Sequence, residues 1–121
     1  MDFACQEIDV EQVLSCTFGL SKSGCAVLKQ LLASTKPMTS DELASHTGYD
    51  LATVQRALKH LSERGVLVRT QHNRPQGGYE YVYEAVGEQA FTALVDKTLT
   101  SWLAQARDEV QLWSKKRRAL K

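Results

Sequence analysis

Apolar residues recur at helical spacing through the first half of the chain, give way to strict alternation near residues 79–85, and return to helical spacing after residue 87. Behind an acidic start at Asp9, the positions Val10, Val13 and Leu14 predict a short helix over about residues 9–16. Cys25, Leu28, Leu31 and Leu32, opposed by Lys22, Lys29 and Gln30, predict a second over residues 21–34. Pro37 blocks its continuation, because proline lacks the N–H that a helix interior needs. Thr39 with Glu42 three residues later fits a capping box, so a third, short helix is expected from Ser40, carrying Leu43 and Ala44 inward. Gly48 suits the left-handed turn that would end it. Asp50 is then a good N-cap for a fourth helix, whose Leu51, Val54, Leu58 and Leu61 lie at offsets 0, 3, 7 and 10 in one apolar stripe. Gly65 is placed to stop it.

Residues 66–70 and 79–85 read as two strands, the second alternating Tyr79, Tyr81 and Tyr83 with Glu80, Val82 and Glu84. The polar stretch 71–78 between them, with Pro75 and Gly77-Gly78, predicts the loop of a hairpin. Residues 87–118 contain no proline and no internal glycine and read as one long helix. The order predicts a mainly α (α+β) fold in a single domain over residues 1–121, a winged helix-turn-helix with a two-stranded β-hairpin wing and a long C-terminal dimerisation helix. Its expected parts are N-terminal helices over 9–36, the helix-turn-helix over 39–64, the wing over 66–85 and the long helix over 87–118.

Anchoring the fourth helix by its stripe leaves Ala52, Thr53, Gln55, Arg56 and Lys59 facing outward. Gln and Arg make paired hydrogen bonds to purine edges, Ala and Thr pack on a thymine methyl, and Lys binds phosphate. Thr39, Ser40 and His60 complete the candidate contacts on the helices, and His72, Asn73 and Arg74 those on the wing. The partner predicted is double-stranded DNA. The three tyrosines could stack on bases, but an aromatic stripe on a hairpin more often packs on its core.

These stretches resemble the MarR and TrmB-like winged-helix regulators of bacteria and archaea. The resemblance is carried by Met38-Thr39-Ser40-Asp41-Glu42-Leu43-Ala44, by Leu51-Ala52-Thr53-Val54-Gln55-Arg56-Ala57-Leu58-Lys59-His60-Leu61, by Arg64-Gly65-Val66-Leu67-Val68-Arg69, and by Gly77-Gly78-Tyr79-Glu80-Tyr81-Val82-Tyr83. It covers about residues 20–85. It implies that Thr53, Gln55, Arg56 and Lys59 face the major groove and that His72, Asn73 and Arg74 reach the backbone or minor groove. The wing tip His72-Asn73-Arg74-Pro75-Gln76 departs from the acidic and basic pattern of MarR wings.

Charge agrees with that placement. The net charge of the whole chain is only +1. Residues 51–79 hold Arg56, Lys59, Arg64, Arg69 and Arg74 against Glu63, whereas residues 80–114 are predominantly acidic. The basic character is concentrated where a nucleic-acid footprint is wanted. The tail Lys115-Lys116-Arg117-Arg118 could touch phosphate, or simply complement the helix C-terminal dipole.

On the long helix, Phe91, Leu94, Val95, Leu99, Trp102, Ala106, Val110 and Trp113 form a face too broad for a helix resting on a small core. A homodimer joined along this helix is expected, an intramolecular packing against the first helix being the other reading. Cys5, Cys16 and Cys25 match no compact metal motif and are read as reduced thiols, either small buried hydrophobes or candidates for an oxidation- or metal-responsive switch. No metal site or cofactor is implied, and no glycine-rich phosphate loop or nucleophile signature suggests an enzyme. The N-terminus lacks a signal peptide and no apolar run is long enough to span a bilayer, so a cytoplasmic protein is expected. A winged-helix protein-interaction module that does not bind DNA is the competing function.

Overall fold

The computed structural model describes residues 8–119. Their elements are α1 (Val10–Phe18), α2 (Lys22–Ala33), β1 (Met38–Thr39), α3 (Ser40–Thr47), α4 (Leu51–Glu63), β2 (Leu67–Asn73), β3 (Tyr79–Ala85) and α5 (Glu88–Ala119). Helix starts follow from their caps. The Asp9 carboxylate accepts from the Gln12 N–H at 2.8 Å while the Gln12 side chain accepts from the Asp9 N–H at 3.1 Å. Thr39 and Glu42 make the same reciprocal pair at the head of α3. Ser21 accepts from the Gly24 N–H and starts α2.

Two glycines set the helix ends that matter for the site. Gly48 adopts φ +81° and donates its N–H to the Ala44 carbonyl at 3.0 Å, turning the chain from α3 into α4. After α4, Gly65 at φ +77° donates to Ser62 while Val66 donates to Leu61, a Schellman closure that sends the chain into β2.

The core lies where α1 to α4 meet the base of the sheet. It holds Leu14, Phe18, Leu28, Leu31, Leu43, Val54, Leu58, Leu61, Val66 and Leu67. The residues of α4 that enter it are Val54, Ala57, Leu58 and Leu61. Leu51, expected as the first member of the anchoring stripe, is instead 40% exposed. It begins the helix, and the inward face is completed instead by Ala57, which the stripe did not include.

The expected two-stranded wing is present as the β2-β3 hairpin, and a third strand not expected from sequence joins it. The sheet has three antiparallel strands in the order β1-β3-β2, with Met38 opposite Tyr83 and Thr39 opposite Val82. Two extended residues after Pro37 are too few for alternation to show, and Met38 is held there by burial in the core. The hairpin strands are also longer than the pattern suggests. Residues 71–73, expected in the loop, continue β2 so that Asn73 pairs with Tyr79. The turn is confined to residues 74–78, where the Arg74 N–H donates to the Gly78 carbonyl and Gly77 and Gly78 take positive φ.

The long helix α5 has no buried residue. Phe91, Leu94 and Val95 lean on the core, with the Phe91 and Phe18 rings 6.1 Å apart. Beyond them Leu99 and Trp102 face α1 across an open cleft, and from Leu103 onward every described apolar residue of the helix except the half-exposed Ala106 is exposed.

Candidate nucleic-acid interface

Burial of Val54, Ala57, Leu58 and Leu61 fixes the rotation of α4 about its axis. Ala52, Gln55, Arg56 and Lys59 are consequently exposed and Thr53 half-exposed. Two of these residues, Thr53 and Arg56, join Asp50 in a local chain of hydrogen bonds. Asp50 does not cap the backbone with its side chain; its carboxylate accepts the Thr53 hydroxyl proton, and Arg56 Nη2 donates to the same hydroxyl oxygen at 3.3 Å. The Thr53 hydroxyl bond is the main cause that holds the Asp50 carboxyl below its ordinary value, with Arg56 adding a smaller coulombic pull. This chain restricts the Arg56 side chain before anything binds it.

Of the three further helix candidates, His60 and Thr39 have polar partners within the chain. Nε2 of His60 lies 3.1 Å from the Phe18 carbonyl oxygen, which ties α4 to the end of α1 and turns the ring inward. The Thr39 hydroxyl accepts the Glu42 N–H as a cap, and Ser40 is half-buried in the first turn of α3. Near them, a cleft of about 250 Å³ brings Thr53 and Arg56 against Ser21, Ser23 and Gly24 at the head of α2.

The wing carries its charge unevenly. At the tip, Arg74 Nη2 lies 3.2 Å from Glu80 and His72 Nδ1 lies 3.6 Å from the same carboxylate. Asn73 is exposed at the end of β2. Toward the root, the guanidinium of Arg69 sits 4.2 Å from the centre of the Tyr81 ring, and Tyr79 meets that ring edge-on at 5.5 Å. Of the three tyrosines only Tyr83 packs against the core, while Tyr79 is 55% exposed. Between the wing root and α4 runs a groove of about 400 Å³ lined by Gln55, Lys59, Ser62, Glu63, Arg69 and Tyr83. Arg69 and the tyrosines were not legible as one surface from sequence. Alternation puts each on a face of its own strand, but only the register, with Arg69 opposite Tyr83 and Gln71 opposite Tyr81, makes it the same face.

The eight apolar positions expected to pair two subunits divide in two. Phe91, Leu94 and Val95 serve the chain's own core. Leu99, Trp102, Val110 and Trp113 are exposed, Trp102 at 60% and Trp113 at 59%, and Ala106 is half-exposed. Leu103 and Leu112 add to the exposed set. A cleft of about 510 Å³ between α1 and α5, lined by Ile8, Val13, Cys16, Leu99 and Trp102, extends this apolar surface onto α1.

Cys16 is exposed along that cleft, whereas Cys25 is 1% exposed in the core. Burial pushes the Cys25 thiol up from its ordinary value, which keeps it neutral and poorly nucleophilic. Cys5 lies outside the described residues. Among the described residues no group of three or more His, Cys, Asp or Glu side chains could hold a metal ion, and no helix is long and apolar enough to cross a membrane.

Comparison with known proteins bears on the whole of this arrangement. The family model described as "Sugar-specific transcriptional regulator TrmB" matches residues 14–87, which run from within α1 to the end of the wing. An uncharacterised protein of Methanocaldococcus jannaschii is 32% identical over 98 residues, covering 81% of this chain and 74% of its own length. The solved structure of a "possible transcriptional regulator" from Methanosarcina mazei Go1 superposes with a TM-score of 0.80 at 33% identity, over 93% of this chain and 95% of that one. A MarR-family transcriptional regulator from Silicibacter pomeroyi shares the fold at a TM-score of 0.53 and 20% identity, over 84% of this chain and 64% of its own.

Proposed function

The chain belongs to the TrmB family of winged-helix transcriptional regulators, and on that premise we propose that it binds double-stranded DNA sequence-specifically as a homodimer. Helix α4 enters the major groove, with Gln55 and Arg56 directed to base edges, Ala52 and Thr53 to methyl groups and Lys59 to phosphate. The wing lies along the adjacent backbone, bringing His72, Asn73 and Arg74 within reach of the sugar-phosphate chain. The observation that carries this reading is the outward face of α4: it is small, polar and basic, fixed in rotation by its buried side, and flanked by a second basic surface on the wing.

Dimerisation through α5 is supported by the exposed residues Leu99, Trp102, Val110 and Trp113, which the chain's own core leaves uncovered. A two-fold pair places two copies of α4 on one side, matched to half-sites about one helical turn apart. It also doubles the small interface that one module can offer.

Selection of bound duplexes from a random-sequence pool tests the reading directly. Enrichment of a pseudo-palindrome is expected. Arg56→Ala should then lose about 1–3 kcal/mol of preference at one position of each half-site, with fold and mass unchanged. A folded wild-type protein that enriched no duplex would overturn the proposal in favour of a protein-interaction module.

A further inference from the structure

We propose that the root of the wing, rather than its tip, grips the DNA backbone, through Arg69 held against the ring of Tyr81. The inference rests on the DNA-binding reading above and revises one part of it, moving the main backbone contact of the wing from His72, Asn73 and Arg74 at the tip to Arg69 at the root.

The tip is a poor phosphate anchor because its charge is already answered. Arg74 and His72 share one carboxylate, Glu80, so a phosphate arriving there must compete with it. Arg69 is in the opposite condition. Among the described residues it has no carboxylate within ion-pair distance, and its partner is an aromatic face at 4.2 Å. Stacking occupies the flat side of a guanidinium and leaves its edge donors open for two parallel bonds to phosphate oxygens. It also fixes a long side chain before binding, so less conformational freedom remains to be lost. The edge-on contact of Tyr79 steadies the ring that does this.

Position completes the argument. Arg69 and Lys59 line the same groove from opposite walls, one on the sheet and one on α4. With α4 in a major groove and the wing over the neighbouring minor groove, the strand that separates the two grooves must pass between these walls. Both cations line this groove of about 400 Å³, so a phosphate entering it is attracted from both walls. Gln55 and Ser62 supply neutral donors at the same level. Glu63, at the last position of α4, also lines the groove and opposes anions there, so the phosphate is expected toward Lys59 and away from Glu63.

The test measures binding to a mixed-sequence duplex and to a selected duplex over about 50–200 mM salt. Wild type is compared with Arg69→Gln, Arg69→Lys, Arg74→Gln and Tyr81→Leu, each checked for fold by circular dichroism and thermal midpoint. A phosphate contact contributes about 0.9 to the slope of log affinity against log salt. Arg69→Gln should flatten that slope by about this amount on both duplexes, whereas Arg74→Gln should change it by much less. Arg69→Lys keeps the charge, so it should retain the slope while weakening binding on both duplexes. Tyr81→Leu should weaken binding in the same sequence-independent way. An unchanged slope for Arg69→Gln, or a larger loss for Arg74→Gln, overturns the proposal. Its failure is distinguishable from failure of the DNA-binding reading: in the first case wild type still binds and Arg56→Ala still loses sequence preference, and in the second wild type binds neither duplex.

Discussion

Truncating the two ends of the α4 stripe separates the helix as its periodicity describes it from the helix as it is packed. Leu61 has no exposed surface and lies in the central cluster, whereas Leu51 is 40% exposed at the helix start. Leu61→Ala therefore loses the transfer free energy of the removed carbons and leaves a cavity, at a cost of about 2–5 kcal/mol. That is a large part of the roughly 5–15 kcal/mol by which a folded domain is stable. Leu51→Ala leaves a gap that water can fill, so about 1 kcal/mol or less is expected. At about 4 °C per kcal/mol the two variants should melt about 8–20 °C and about 4 °C or less below wild type. Thermal unfolding followed by circular dichroism measures this, at one fixed protomer concentration because association adds to apparent stability. Equal losses in the two variants would refute the packing described for α4 and would restore Leu51 as an anchor.

Two further predictions bear on the site and on assembly. Thr53→Val removes the hydroxyl that holds the Asp50 carboxyl low, so Asp50 should titrate closer to its ordinary value. Because the folded value is depressed, the Asp50–Thr53 contribution is present above the ordinary carboxylate range and is lost as pH falls through the folded value. A carboxyl NMR titration reads the shift, and identical Asp50 curves in the two proteins would exclude the Thr53 bond as its cause. Replacing Trp102 and Trp113 together by Ser should shift the protein toward monomer in sedimentation equilibrium, since buried tryptophans at an interface commonly cost about 2 kcal/mol or more when removed. An unchanged mass would remove α5 from the interface.

Local chemistry decided much of this molecule before any tertiary contact. Asp9, Ser21 and Thr39 start their helices, and Gly48 and Gly65 end theirs, through backbone geometry that acts over three or four residues. The stripe on α4 was legible for Val54, Leu58 and Leu61 for the same reason: a helix repeats its faces at a fixed angle. The outward face of α4 followed by elimination. Periodicity could not say how far along the helix the core reaches, which is why Leu51 was expected inside and is exposed, and why the buried Ala57 was not singled out.

The rest depended on which elements meet. Met38 and Thr39 became a strand only because β3 was there to pair with them. His60 belongs to the packing of α1 through a carbonyl 42 residues away in the chain. Arg69, Tyr81 and Lys59 became one surface through strand register and through the seating of the wing beside α4. A side chain's own neighbours in sequence determine the helix or strand it joins. What it faces is set by distant segments, whose packing and pairing no local period records.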